Sequence, residues 1–319
     1  MTERVLVTGA TGFVGSELCR LLVQSGYRVR AALRTPRPVP ASIAEQIVVG
    51  EIDDVTEWQS ALRDVQYVVH LAARVHVMHD SAANTDLYVR TNVRGTARLA
   101  LQAADAGVRR LIYLSSIKVN GEQSTAPGFS AAQTPQPADA YGVSKWNAEQ
   151  CLQELTGRLE VAIVRPPLVY GPGVRANFLR LMRWVDQERP LPLASIDNQR
   201  SLVSVWNLCD LIQLLLHERR AAGKTWMVAD DESLATPELI RRLARAMQRR
   251  VRLLRVPTGA LRVLGHLTGK SEEVARLCSS LVVDTEVTRR ELGWSPPVSV
   301  DDSLARTVRW YLQEGTRGY

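Results

Sequence analysis

The chain has 319 residues, 45% of them hydrophobic and 23% charged, which excludes a disordered polypeptide and leaves room for a dinucleotide domain plus a smaller one. Forty Lys and Arg against 33 Asp and Glu give a net charge of +7; the Arg219-Arg220, Arg241-Arg242 and Arg249-Arg250 runs follow or sit within helical patterns and read as solvated faces, so an anionic ligand fits but no nucleic-acid partner is expected. Cys19, Cys151, Cys209 and Cys278 are far apart and form no CxxC, so neither a metal site nor a disulfide framework is expected, in keeping with a reducing cytoplasm.

At the N-terminus, Met1 leads into Val5-Leu6-Val7 without a charged leader, and no later apolar run approaches the ~20 residues of a membrane span. A soluble, cytoplasmic protein without membrane insertion is expected. Up to about residue 170, β-branched runs alternate with amphipathic stretches. Val5–Val7, Val29–Leu33, Ile47–Val49, Val68–Leu71, Leu111–Ser115 and Val161–Val164 are the expected strands. Between the first two, residues 14–25 form a helical pattern, with Leu18, Leu21 and Leu22 on one face and Gly26 as its stop. The alternation predicts an α/β fold, a Rossmann-type doubly wound parallel sheet over residues 1–172. After the turn Gly171-Pro172-Gly173 come a helix near 177–187, a Pro-containing loop and a helix opening at Thr236-Pro237-Glu238, with Thr236 as N-cap. Residues 173–319 are expected to form mainly a smaller substrate-binding domain, with about 201–230 returning to the Rossmann domain.

The segment Thr8–Gly15 stands between the first strand and the first helix. Its glycines at 9, 12 and 15, with Thr11, Phe13 and Val14 among them, let backbone approach a pyrophosphate, and the helix start supplies amide donors. The place of the loop in the chain makes it more telling than a bare glycine triplet. After the second strand, where NAD enzymes commonly carry an acid, the sequence has Arg34. A guanidinium there can pair a 2′-phosphate, so NADP(H) is favoured and NAD(H) possible. Arg34 in open solvent is the plainer alternative, and Arg30 and Arg37 are lesser candidates for the same contact.

Tyr141 and Lys145 are four apart at the start of a helix running to about Leu155, so phenol and ammonium share one face. A phenol of pKa ~10 is a poor acid-base group at neutral pH, and a neighbouring ammonium and a cationic nicotinamide are expected to lower it. Ser116, at the end of the fifth strand, is placed to hydrogen-bond a substrate oxygen.

Together, TGATGFVG at 8–15, VVHLAA at 68–73, TNVRGT at 91–96, YLSSIKVNG at 113–121, YGVSK at 141–145, RPPLVYGPG at 165–173, RSLVSVWNLCDLI at 200–212 and ELGWSPP at 291–297 resemble the extended short-chain dehydrogenases/reductases that act on nucleotide sugars. The resemblance implies Tyr141 as acid-base residue, Lys145 holding the nicotinamide ribose and tuning Tyr141, and Ser116 positioning the substrate oxygen. It implies that Leu71, Ala72, Ala73 and Pro166 border the cofactor, that Glu51 and Ile52 approach adenine, and that Asn92 orients the active-site helix. His70 reads as a core histidine. Arg200 matches a diphosphate-binding arginine, Asn177 and Leu193 are further substrate contacts, and Lys118 either faces the pocket or is solvated.

Dehydratases of the group carry an Asp-Glu pair where this chain has Ile117-Lys118, which argues against dehydration. The expected function is an NADPH-dependent 4-reductase of a UDP-4-keto-6-deoxy-N-acetylhexosamine in surface polysaccharide biosynthesis. The alternatives are a UDP-hexose or UDP-N-acetylhexosamine 4-epimerase and, from another class, a non-catalytic NADP(H)-sensing regulator. The resemblance also implies a homodimer built through the helices near 92–106 and 140–155.

Overall fold

A computed structural model of the chain describes residues 3–40, 43–75, 82–269 and 271–314. In chain order the first half runs β1 (Arg4–Thr8), α1 (Phe13–Gln24), β2 (Arg28–Leu33), β3 (Glu45–Val48), α2 (Gln59–Leu62), β4 (Tyr67–His70), α3 (Ala82–Tyr88), a wider π-type turn (Val89–Arg94), α4 (Gly95–Asp105), β5 (Arg110–Leu114), α5 (Ala140–Gln153) and β6 (Glu160–Arg165). The second half runs β7 (Leu168–Tyr170), α6 (Ala176–Asp186), β8 (Arg200–Ser204), α7 (Val205–His217), β9 (Lys224–Met227), β10 (Ser233–Leu234), α8 (Thr236–Met247), α9 (Thr258–Leu267), α10 (Ser271–Cys278), α11 (Glu286–Leu292) and α12 (Val300–Glu314).

Seven parallel strands in the order β3-β2-β1-β4-β5-β6-β9 form the main sheet. Both faces are covered, so its central strands are apolar without alternation. The period of two still sorts the side chains: Val5 and Val7 enter the core beneath α1 and α7, while Leu6 enters the opposite core with Leu99 of α4 and Leu152 of α5. The expected strands all form. Outside that expectation lie β9, at the far edge of the main sheet, and a second sheet of order β10-β8-β7. A separate core of Met182, Ile240, Leu243 and Leu304 packs α6, α8 and α12 together.

Polar bonds fasten the smaller sheet to its neighbours. The Tyr170 hydroxyl donates to Asp230 Oδ2 at 2.7 Å, and Asp230 Oδ1 accepts from the Ser204 amide at 3.0 Å and from Asn207 Nδ2 at 2.7 Å. Burial holds the Asp230 carboxyl above the usual range, and these donors offset only part of that rise. One helix start differs from expectation. Ala235, not Thr236, precedes α8, and the Thr236 amide is taken by Asn198 Oδ1 at 2.8 Å, which ties the first turn to the loop before β8. Among the described residues no helix is long and apolar enough to cross a membrane.

The β1-to-α1 junction sets where a ligand can lie. Gly9 takes φ +67° as it passes the Leu71–Ala72 backbone, and a Cβ on Gly15 would stand 2.0 Å from the Gly9 carbonyl oxygen. Gly15→Ala should therefore destabilise the fold by more than the ~1–3 kcal/mol of ordinary overpacking, read as a lowered urea midpoint, and should weaken dinucleotide binding in the fraction that still folds.

Candidate active site

Helix α1 begins after Gly12 with no side chain capping its first amides, while Thr11 and Gly12 are exposed at the carboxyl end of β1. Open donors and a positive dipole end in that position fit the diphosphate of a dinucleotide. The Ala72 amide donates to Thr8 Oγ1 at 3.1 Å, which brings the Leu71–Ala73 segment alongside the loop. Immediately after it, Arg74 Nε is buried without a hydrogen-bond partner among the described residues, a donor available to a ligand lying along this edge.

At the adenosine side, Arg34 stands 3.5 Å from Glu51, both largely exposed, and Ile52 packs its side chain against Gly95. Arg30 does not belong here. It pairs with Glu45 and donates to the Ala61 and Arg63 carbonyls, because its side chain points to the far end of the sheet. Arg37 reaches the glycine loop, with Nη1 3.3 Å from Thr11 Oγ1.

Ser116, Tyr141 and Lys145 meet at the ends of β5 and α5. Asp139 caps α5 by accepting the Gly142 amide at 2.7 Å, which fixes the turn that carries Tyr141. Lys145 Nζ donates to the Leu114 carbonyl at 2.8 Å and sits 4.5 Å from the Tyr113 ring centroid and 6.0 Å from that of Tyr141. Burial brings its pKa down to about 7, with Glu149 opposing the shift. The Tyr141 phenol is raised, not lowered as the sequence suggests: burial dominates, the Asp139 charge adds to it, and a hydrogen bond from Ser116 pulls the other way. The ammonium expected to lower it is directed at Leu114 and Tyr113 instead.

Asn92 grips both sides of this arrangement. Its Oδ1 accepts the Arg74 amide at 2.8 Å, and its Nδ2 donates to the Arg74 carbonyl at 3.0 Å and to Ser144 Oγ of α5 at 2.9 Å. His70 is buried between Thr8 Oγ1 at 2.7 Å and Thr96 Oγ1 at 2.9 Å. Burial, with a smaller contribution from Lys145, lowers its pKa to about 3, so the ring is a neutral core group. Pro166 is buried and accepts the Ile117 amide at 2.9 Å, which joins β6 to the segment after Ser116.

Lys118 follows neither alternative. Its ammonium is bonded to Asp139 and, at 2.8 Å, to Glu122 Oε1. Burial pushes its pKa down, but these two acids outweigh burial and hold it above the ordinary value. Asn177, Leu193 and Arg200 line a cavity of about 670 Å³ in the smaller half. Arg200 Nη1 donates to the Arg276 and Ser279 carbonyls at 2.9 and 3.1 Å, and Asn177 Oδ1 accepts from Arg180 at 3.0 Å. None of Ser116, Tyr141 or Lys145 lines that cavity. Between the two lies Glu122, which is paired with Lys118 and whose charge also acts on Arg200.

Glu149 is absent from the sequence reading. It is fully buried, accepts from Arg165 Nε at 3.0 Å and Nη2 at 2.5 Å, and is hydrogen-bonded by Ser115. The signal was there: 141, 145 and 149 continue one helical face. Glu149→Leu alone should cost ~3–5 kcal/mol by leaving Arg165 buried and unpaired, and adding Arg165→Met should recover most of it in urea denaturation. Lys145→Met tests the buried amine. The folded-state pKa is depressed, so the charge opposes folding below about pH 7 and this penalty fades as pH rises toward the unfolded value of ~10.4. Without dinucleotide, the variant's gain in melting temperature should be largest near pH ~6 and vanish near pH ~10.

The model of the NAD dependent epimerase/dehydratase family matches residues 5–229. The UDP-glucose 4-epimerase of Vibrio cholerae is 42% identical over 324 residues, covering 99% of this chain and 98% of that protein. The N-acetyl-alpha-D-glucosaminyl-diphospho-ditrans,octacis-undecaprenol 4-epimerase of Escherichia coli O157:H7 is 24% identical, covering 97% and 96%. The solved structure of MoeE5 in complex with UDP-glucuronic acid and NAD superposes with a TM-score of 0.77 at 25% identity, covering 97% of this chain and 99% of that one.

Proposed function

The chain belongs to the NAD dependent epimerase/dehydratase family, and on that premise we propose that it inverts C4 of a hexose joined to a diphosphate, with NAD as its resident cofactor. The observation that carries the reading is the meeting of Ser116, Tyr141 and Lys145 at the same carboxyl edge of the sheet as the uncapped start of α1. The nicotinamide, when bound, supplies reversible oxidation of the sugar carbinol. Tyr141 takes and returns the hydroxyl proton, Ser116 holds the sugar oxygen against the phenol, and Lys145 holds the nicotinamide ribose. A buried, neutral phenol needs a positive neighbour to ionise. A bound oxidised nicotinamide would supply that positive charge, with Lys145 6.0 Å from the Tyr141 ring centroid as a second source.

Two observations separate this reading from others. Arg34, which favours NADP(H) in the sequence, stands against Glu51, and that carboxylate would repel a 2′-phosphate, which favours NAD. Lys118 occupies the position of a dehydratase acid and is bound to two carboxylates, so it has no free base to offer for eliminating water. The intact Tyr141-Lys145 pair favours catalysis over cofactor sensing. Of the relatives, one is named for a UDP-linked sugar and another for a sugar on undecaprenyl diphosphate, so C4 inversion is common to both while the group beyond the diphosphate differs. A homodimer through α4 and α5 belongs to the same reading, supported by Leu101 and Val143, which are exposed on those helices.

Purified protein given UDP-glucose or UDP-N-acetylglucosamine should interconvert the C4 epimers without added cofactor, followed by chromatography of the sugars. Tyr141→Phe should lower kcat by about 10²–10⁴-fold while leaving NAD bound. Steady consumption of NADPH by a UDP-4-keto-6-deoxy sugar, with no interconversion, would establish the 4-reductase instead.

A further inference from the structure

The cavity that holds Asn177, Leu193 and Arg200 is walled mainly by hydrocarbon, with Leu181, Trp184, Leu239, Leu261, Leu264 and Leu277 among its lining residues. Arg180, Arg189 and Arg200 lie in the same lining and outnumber its one acid, Glu273, which stands 3.7 Å from Arg180, so the balance of charge suits a diphosphate. A nucleoside brings carbonyls and hydroxyls that need partners, whereas a hydrocarbon chain brings none.

One wall is helix α9, and that helix has a second apolar face. At 100° per residue, Leu261, Gly265 and Thr268 fall together on the side that lines the cavity, while Val263, Leu264 and Leu267 form a separate stripe. The stripe is open to solvent: Val263 is 61% exposed, Leu264 56% and Leu267 77%. Leu264 belongs to both surfaces, so the cavity edge and the stripe are continuous. Arg262 is exposed beside the stripe, and Arg252 and Arg255 are exposed on the approach to the helix, next to Leu254 at 50%. An apolar stripe bordered by cations matches the boundary of an anionic bilayer, where apolar side chains enter the acyl layer and arginines meet phosphate headgroups.

From these observations we infer that the sugar diphosphate substrate is carried on a membrane polyisoprenoid, whose chain runs through the apolar cavity beside α9 while the α9 stripe rests on the bilayer. The inference rests on the C4-inversion reading and adds the identity of the group beyond the diphosphate.

The test uses the full chain with equimolar phosphatidylglycerol and phosphatidylcholine vesicles, with and without undecaprenyl diphosphate N-acetylglucosamine, and UDP-N-acetylglucosamine in solution as the comparison. The protein should sediment with the vesicles and invert the lipid-linked sugar with a KM roughly tenfold or more below that for UDP-N-acetylglucosamine, as burial of a few methylenes requires. Val263→Asp with Leu267→Asp changes two solvent-exposed side chains outside the cavity. It should abolish sedimentation and raise the KM for the lipid-linked sugar, leaving turnover of UDP-N-acetylglucosamine unchanged. Turnover of UDP-N-acetylglucosamine alone, or no sedimentation by the unaltered protein, overturns the inference and leaves C4 inversion standing. Failure of both sugars to invert overturns C4 inversion, and this inference with it.

Discussion

Helix α5 carries two of the three residues on which the site turns, and its place is fixed by a charge kept wholly from water. Glu149 accepts two bonds from Arg165 at the end of β6 and one from Ser115 at the end of β5. A carboxylate in that setting is costly unless its partners hold their geometry, so the pair tolerates little sliding of the helix along the sheet. Asp139 fixes the other end of α5 as its cap, and Asn92 pins the middle through Ser144. Three separate strand or loop ends thus determine where the Tyr141 phenol lies relative to Ser116.

From that fixed point a line of charges reaches into the smaller half. Asp139 holds Lys118, Lys118 holds Glu122, and the field of Glu122 is felt at Arg200. In the proposed C4 inversion the sugar would lie between Tyr141 and the cavity, and this line of charges would border it. The smaller half is in turn fastened by the Tyr170, Asp230 and Asn207 bonds, which restrict how far the cavity can swing away from the phenol. The phenol and the cavity are therefore held against one frame.

Local features were legible in the sequence. The glycine loop, the strand alternation and the i, i+4 spacing of Tyr141 and Lys145 depend on neighbours in the chain, and they appear where the pattern puts them. Residues whose meaning depends on distant partners were not. Lys118 could be placed neither in the pocket nor in solvent because one of its partners, Asp139, lies 21 residues away. Arg30 and Arg34 look alike in the sequence, yet Arg30 lies within β2 beside Glu45 of β3, while Arg34 follows the carboxyl end of β2 and stands opposite Glu51. Glu149 resembles an ordinary helix-surface acid until the sheet brings Arg165 beneath it. The expected fall in the Tyr141 pKa failed for a related reason: sequence gives the neighbouring ammonium but not the depth of burial.

Near Lys145, stacked on the Tyr113 ring, lies the buried His70 imidazole, which cannot act as a pH sensor near neutrality. Its two nitrogens are taken by hydroxyls, Nδ1 by Thr8 Oγ1, which also accepts the Ala72 amide, and Nε2 by Thr96 Oγ1. Protonating that ring would bury a charge and place a cation near Lys145, and burial is the larger of the two costs that hold its pKa at about 3. The floor of the pocket therefore keeps a constant charge through neutral and mildly acidic conditions. An inflection in turnover close to neutrality would report the amine on α5, and this imidazole would contribute only a fixed dipole.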